Sequence, residues 1–175
     1  MRKVKFSIAN SLDNYIARKD GAVDWILGGE EAASVMTEFW KTIDAVVMGR
    51  KTYEPVLKSG TPIPTFPGVK NYVLSRTLEE SSDKNVEIIR EDVVEFIRKL
   101  KTEQGKDIFV MGGGLLVKPL FEANLIDEVG VTIHPMLLGS GIPLFHEIGH
   151  QVDLELIEFN TFKNGCVSII YRVKN

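Results

Sequence analysis

Three short segments place glycine, a cation or a hydroxyl directly after an apolar run, a combination suited to holding phosphate. The first is Asp44-Ala45-Val46-Val47-Met48-Gly49-Arg50-Lys51-Thr52. Backbone N–H groups at a helix start attract anions, and Arg50 can fork onto a phosphate that Lys51 and Thr52 also reach. The second is Asp107-Ile108-Phe109-Val110-Met111-Gly112-Gly113-Gly114-Leu115-Leu116, where the glycines remove every Cβ and let a pyrophosphate approach the chain and the helix dipole. It matches neither the G-x-G-x-x-G fingerprint nor a Walker loop. The third is Tyr72-Val73-Leu74-Ser75-Arg76-Thr77; two hydroxyls and a guanidinium suit a terminal phosphate such as the 2'-phosphate that distinguishes NADPH from NADH. Each has a plainer reading: a solvated basic turn, a tight helix-sheet turn, a polar strand end. Their common position after apolar runs carries the argument, because open α/β sheets bind ligands beyond the carboxyl ends of their strands.

Other residues compete for a chemical role. His146-Glu147-Ile148-Gly149-His150 fits H-E-x-x-H, in which two histidines one helical turn apart bind zinc and the glutamate activates water. Gly149 inside the required helix and Pro143 just before it favour a polar turn, and no metal is expected. Cys166 is the lone cysteine, so no internal disulfide forms; in the run Cys166-Val167-Ser168-Ile169-Ile170 it reads as a small core side chain. His134, before Pro135, reads as a structural residue at a strand end.

The elements that must position these groups alternate. Strands are expected at Lys3 to Ala9, Ala45 to Met48, Asn71 to Leu74, Val86 to Ile89, Asp107 to Met111, Glu128 to Ile133, Leu154 to Phe162 and Cys166 to Val173. Helices are expected at Glu30 to Lys41, Lys51 to Leu57 (limited by Pro55), Val93 to Gln104 and Leu115 to Ala123. Ser59 to Gly68, with three prolines, reads as a stiff loop, and Lys163-Asn164-Gly165 as a hairpin turn. The pattern predicts an α/β fold: a mostly parallel central sheet, helices on both faces, an antiparallel edge hairpin at the end. With 175 residues and 44% hydrophobic content, one domain over 1–175 suffices. A net charge of -3 and a pI near 5.7 speak against a nucleic-acid or anionic-membrane binder. No apolar run reaches membrane-spanning length, and Met1 to Ser7 has no signal-peptide core, so the chain reads as cytoplasmic.

Further blocks in sequence order are Ser11-Leu12-Asp13-Asn14-Tyr15-Ile16-Ala17, Leu125-Ile126-Asp127-Glu128 and Pro135-Met136-Leu137-Leu138-Gly139-Ser140-Gly141-Ile142-Pro143-Leu144-Phe145. With Met48-Gly49-Arg50-Lys51-Thr52, Leu74-Ser75-Arg76-Thr77 and the triple glycine, the chain resembles the dihydrofolate reductase superfamily across nearly its whole length. The similarity is greatest to the branch of the riboflavin-biosynthesis C-terminal reductase domain and its stand-alone relatives. In that branch Asn14 is a glycine.

The resemblance implies a three-layer dihydrofolate-reductase-like fold and NADPH as cofactor. Backbone at Ala9 and Ile16 would read the nicotinamide carboxamide. Gly49, Arg50, Lys51 and Thr52 would line the phosphates, Ser75 and Arg76 the 2'-phosphate, and Gly112, Gly113, Gly114 and Leu115 the pyrophosphate. Thr132 resembles the threonine that supports the substrate-side acid. Folate reductases carry a Pro-Trp pair and then an acid; here Asp24 precedes Trp25, and the acid is Asp24, Glu30 or Glu31. Leu12 and Trp25 are substrate-side contacts, and the segments Leu12 to Trp25 and Ser59 to Gly68 flank the pocket. The implied reaction is hydride transfer to a small heterocyclic substrate, first an aminopyrimidine ribosyl compound of riboflavin synthesis, second dihydrofolate. A homodimer is implied as well. The alternatives from other classes are a non-catalytic nucleotide-binding protein and a zinc hydrolase through His146, Glu147 and His150.

Overall fold

Side chains along the run from Ala45 to Met48 divide between two apolar clusters: Ala45 and Val47 join one, Val46 and Met48 the other. A strand with no polar face must be covered on both sides, and so this segment sits inside the sheet. The chain is described here by a computed structural model that covers residues 1–59, 68–81 and 83–174. In chain order it forms β1 (Val4–Ser11), β2 (Tyr15–Ala17), α1 (Glu30–Lys41), β3 (Ile43–Gly49), α2 (Arg50–Ser59), β4 (Lys70–Leu74), β5 (Val86–Ile89), α3 (Val93–Thr102), β6 (Asp107–Met111), α4 (Gly114–Glu122), β7 (Glu128–His134), β8 (Ile142–Pro143), β9 (Leu154–Thr161) and β10 (Val167–Val173).

The main sheet runs β5-β4-β3-β6-β1-β7-β10-β9. From β5 to β7 it is parallel; β10 is antiparallel to β7 and to β9. This is the expected α/β architecture with its antiparallel edge hairpin. One face packs on α3 and α4 through Phe96, Ile97, Leu100, Val117, Leu120 and Phe121. The other packs on α1 and α2 through Phe39, Trp40 and Tyr53, with Phe39 and Trp40 edge-on to Phe109 at 5.1 and 5.6 Å.

Several boundaries differ from expectation. β1 continues two residues further, so Asn10 and Ser11 are buried strand residues opposite β7. α3 stops at Thr102, with Glu103 already extended. α4 begins at Gly114 and α2 runs to Ser59 with Pro55 inside it. β2 and β8 pair as a separate two-stranded sheet that the sequence does not announce. The proline-rich loop expected at Ser59 to Gly68 lies, from 60 to 67, outside the described residues. Among the described residues no helix is long and apolar enough to cross a membrane.

Candidate active site

β4, β3, β6, β1 and β7 end side by side at their carboxyl ends. Gly49 pairs with Leu74, Met48 with Met111, and Ala9 with Thr132. The order across the sheet is therefore Ser75-Arg76, Gly49-Arg50, Gly112 to Gly114, Ala9, Thr132. At the usual strand spacing this track spans about 19 Å.

Local contacts join the three glycine and cation segments. Nη1 of Arg50 donates to Oγ1 of Thr77 at 2.7 Å, and its Nε pairs with Glu54 at 3.0 Å. The Thr77 and Leu78 N–H groups donate to Oγ of buried Ser75, a turn that fixes the end of β4 and leaves Arg76 exposed. A Cβ on Gly112 would stand 3.4 Å from Oγ1 of Thr52, and one on Gly113 would meet Cδ1 of Ile16 at 2.9 Å. Ile16, Thr52 and the glycine loop are thus immediate neighbours, as a cofactor cradle requires. A Cβ on Gly49 would meet nothing within 4 Å, so that backbone is open to a ligand at the start of α2. Leu115 is exposed in the first turn of α4, whose N-cap Gly113 supplies no side-chain cap. Orphan helix N–H groups and openness at one place fit a pyrophosphate.

On the substrate side, Ala9, Thr132 and Ser168 share one register row on the α1 face, and all three are half-buried. No residue of α1 is fully buried. The helix presses on β3 and β6 through Phe39 and Trp40 and leaves the sheet beside its first turns partly open. Two clefts of about 560 and 440 Å³ lie at the opposite, amino-terminal end of the strands, lined by Trp40, Asp44 and Lys106 and by Arg2, Lys101 and Asp107 respectively. Neither is lined by a residue of the carboxyl-end track, which is the better candidate on topological grounds.

The expected acids are all exposed. Asp24 is 61% exposed and bonded by both oxygens to Arg18, whose hydrogen bonds hold its carboxyl below the usual range. Glu30 is exposed at the start of α1. Glu31 accepts from the Lys163 N–H in the hairpin turn at 2.9 Å, which lowers its pKa. Among the described residues no carboxylate is buried. Leu12 is exposed, while its neighbour Asp13 clamps two loops: its oxygens accept from Ser11 Oγ and from the Leu138 and Gly139 N–H groups. Asn14 sits at φ 62°, which explains why glycine also suits that position.

Trp25 is 5% exposed and packs edge-on against His134, rings 5.3 Å apart. His134 is fully buried at the end of β7, where its Nδ1 accepts the Leu27 N–H at 3.2 Å and lies 3.3 Å from Sγ of Cys166. Burial lowers the pKa of His134 and raises that of Cys166. Sequence reasoning treated these residues separately and missed the cluster. Residues 146 to 150 form no helix, so the one-turn spacing that zinc would need is not built, and among the described residues no group of metal-ligating side chains gathers.

Known proteins share this fold. The family described as the RibD C-terminal domain matches residues 2–168. The chain belongs to that family. It is 39% identical over 156 residues to the uncharacterized protein YwjB of Bacillus subtilis (strain 168), covering 89% of each, and 32% identical over 180 residues to YyaP of the same organism, covering 97% of this chain and 94% of that one. A candidate riboflavin biosynthesis protein from Shewanella sp. PV-4 superposes with a TM-score of 0.85 at 28% identity, over all of both chains. Enterococcus faecalis dihydrofolate reductase, solved with NADP(H), superposes at 0.73 with 20% identity over 99% of this chain and 97% of that one, and shares the fold. The shared fold is dihydrofolate-reductase-like.

Proposed function

We propose that this chain is an NADPH-dependent reductase acting on a small heterocycle, first of all an aminopyrimidine carrying a ribosyl group. The observation that carries the reading is the row of Ser75-Arg76, Gly49-Arg50 and Gly112 to Gly114 at the carboxyl ends of three adjacent strands, leading to Ala9 and Thr132. Arg76 and Ser75 would hold the 2'-phosphate, Arg50, Lys51 and Thr52 the phosphates, and the α4 start with Leu115 the pyrophosphate. Backbone at Ala9 and Ile16 would orient the nicotinamide.

When bound, NADPH supplies a hydride from C4 to a carbonyl or imine carbon of the substrate. The chain's part is to fix distance and angle, with Thr132 beside the acceptor and Trp25 as a wall. A pterin presents an amidine edge that a buried carboxylate would grip. A carboxylate, of Glu30 or Asp24, or water then delivers the proton. A related protein from Thermotoga maritima, 18% identical, is described as a deaminase and 5-amino-6-(5-phosphoribosylamino)uracil reductase; this chain spans 57% of it. Thermal stabilisation by NADPH against NADH tests the proposal: a larger shift with NADPH supports it, and no shift with either removes it.

A homodimer belongs to the same reading. β9 is an edge strand without lysine or proline, and Leu154, Leu156 and Phe159 (64% exposed) lie on one face of it, in register with Val173, Tyr171 and Ile169. Such an edge offers unpaired N–H and C=O groups to an identical strand. The acidic flank of Glu155 and Glu158 disfavours an anionic surface as the occupant.

A further inference from the structure

The stretch between β2 and α1 has little to hold it. From residue 23 to residue 29 every side chain or glycine is exposed except Trp25. Besides the Asp24 bonds to nearby Arg18, among the described residues two hydrogen bonds tie it to distant parts of the chain: the Leu27 N–H donates to Nδ1 of His134 in β7 at 3.2 Å, and Nδ2 of Asn164 in the hairpin turn donates to the Gly28 carbonyl at 3.2 Å. Trp25 adds ring contact with His134, interplanar angle 90°, but its own indole N–H is buried and meets no acceptor among the described residues. Among the described residues the deepest hydrogen-bond partner of the stretch is therefore the imidazole. His134 stands two residues beyond Thr132 on β7 and opposite Ser11 on β1.

We propose that His134 is a positioning residue: its unprotonated Nδ1 latches Leu27 and Trp25 onto the end of β7 and so sets the wall of the substrate side of the site. That the wall serves a substrate rests on the function proposed above; the latch itself does not. An imidazole that accepts at Nδ1 carries its proton on Nε2. Protonation of Nδ1 replaces the acceptor by a donor facing the Leu27 N–H, and the bond is lost. Among the described residues the groups that face the ring are the Trp25 indole and Leu27 backbone from the stretch, the Cys166 thiol just before β10 and Ser11 from β1. None is charged. Burial, with no carboxylate beside the ring, keeps the imidazole neutral.

Amide hydrogen exchange of residues 23–29, read as protection factors so that intrinsic pH dependence is removed, tests this on the full chain. The wild type should protect the Leu27 amide at pH 8. It should lose protection roughly tenfold, as the loss of one buried hydrogen bond implies, in acid below the ordinary histidine pKa and before the sheet opens. His134→Leu should lose it at every pH. His134→Asn, whose Oδ1 takes the place of Nδ1 and does not titrate, should keep it throughout. Protection that stays flat down to global unfolding in the wild type, or that survives in His134→Leu, overturns the proposal. If either variant fails to fold, the wild-type pH series decides by itself. NADPH stabilisation measured on the same samples separates the two readings: its absence removes the reductase assignment and leaves the latch standing.

Discussion

Gly114→Ala puts a methyl group where the fold has no room. Its Cβ would lie 2.7 Å from the Leu144 carbonyl oxygen, 2.8 Å from Cδ2 of His146 and 3.2 Å from the His146 nitrogen. These atoms cannot easily retreat, because Leu144 is buried and its N–H donates to the Asn14 carbonyl at 2.8 Å. The contacts fall roughly 0.5–1 Å short of normal van der Waals separation. Overpacking of this kind costs about 1–3 kcal/mol, and for a chain of this size that lowers Tm by about 2–12 °C. Gly49→Ala is the matched control, since its methyl would meet nothing within 4 Å. Its apo Tm should stay within about 2 °C of wild type, as a surface change does. If a phosphate approaches the Gly49 backbone, the same methyl should shrink the NADPH-induced rise in Tm. Thermal scans of both variants with and without NADPH read the two effects separately. An unchanged apo Tm for Gly114→Ala, or an equal fall for Gly49→Ala, would refute the contact argument.

Arg76→Ala should weaken NADPH binding at least tenfold and NADH much less, measured by fluorescence titration; equal losses would take the 2'-phosphate away from Arg76. Phe159→Lys should convert a dimer to a monomer in light scattering while leaving the circular dichroism spectrum unchanged, and a wild type already monomeric at high concentration would sink the edge-strand interface. Asp13→Asn should lower Tm at neutral pH by weakening the clamp on Leu138 and Gly139. The Ser11 hydroxyl, with those two N–H groups, holds the Asp13 carboxyl below the ordinary carboxylate range. The folded-state pKa is thus depressed, so the stabilisation is present above the unfolded value and fades as pH falls through the folded one. The difference in Tm between wild type and variant should accordingly close in strong acid; a pH-independent difference would refute it.

What the sequence revealed follows from how locally each feature is determined. β3 and β6 were legible because a strand covered on both faces must be apolar at every position, as Ala45 to Met48 and Ile108 to Val110 are. The phosphate segments were legible because glycines and cations at strand ends are local signals. α2 outran its expected end because Pro55 is exposed, so water can satisfy the Lys51 carbonyl that the proline deprives of a partner. β2 and β8, three and two residues long, exist only through pairing with each other and leave no periodic trace. The His134 cluster was hidden for the same reason: Leu27 lies 107 positions from His134, and Cys166 lies 32 positions from it. Nothing in the run Thr132-Ile133-His134-Pro135 names those partners.

The place of β1 in the middle of the sheet bears on how the chain is made. It precedes every other strand described here, yet its neighbours are β6 and β7, with Val4 beside Ile108 and Phe6 beside Val129. It must wait for more than a hundred further residues before either edge of its slot exists, and closing so long a loop slows folding. Until β1 docks, β6 and β7 are not joined and the row from Arg76 to Thr132 is broken at Ala9. Capture of a dinucleotide along that row would then favour chains in which β1 has docked.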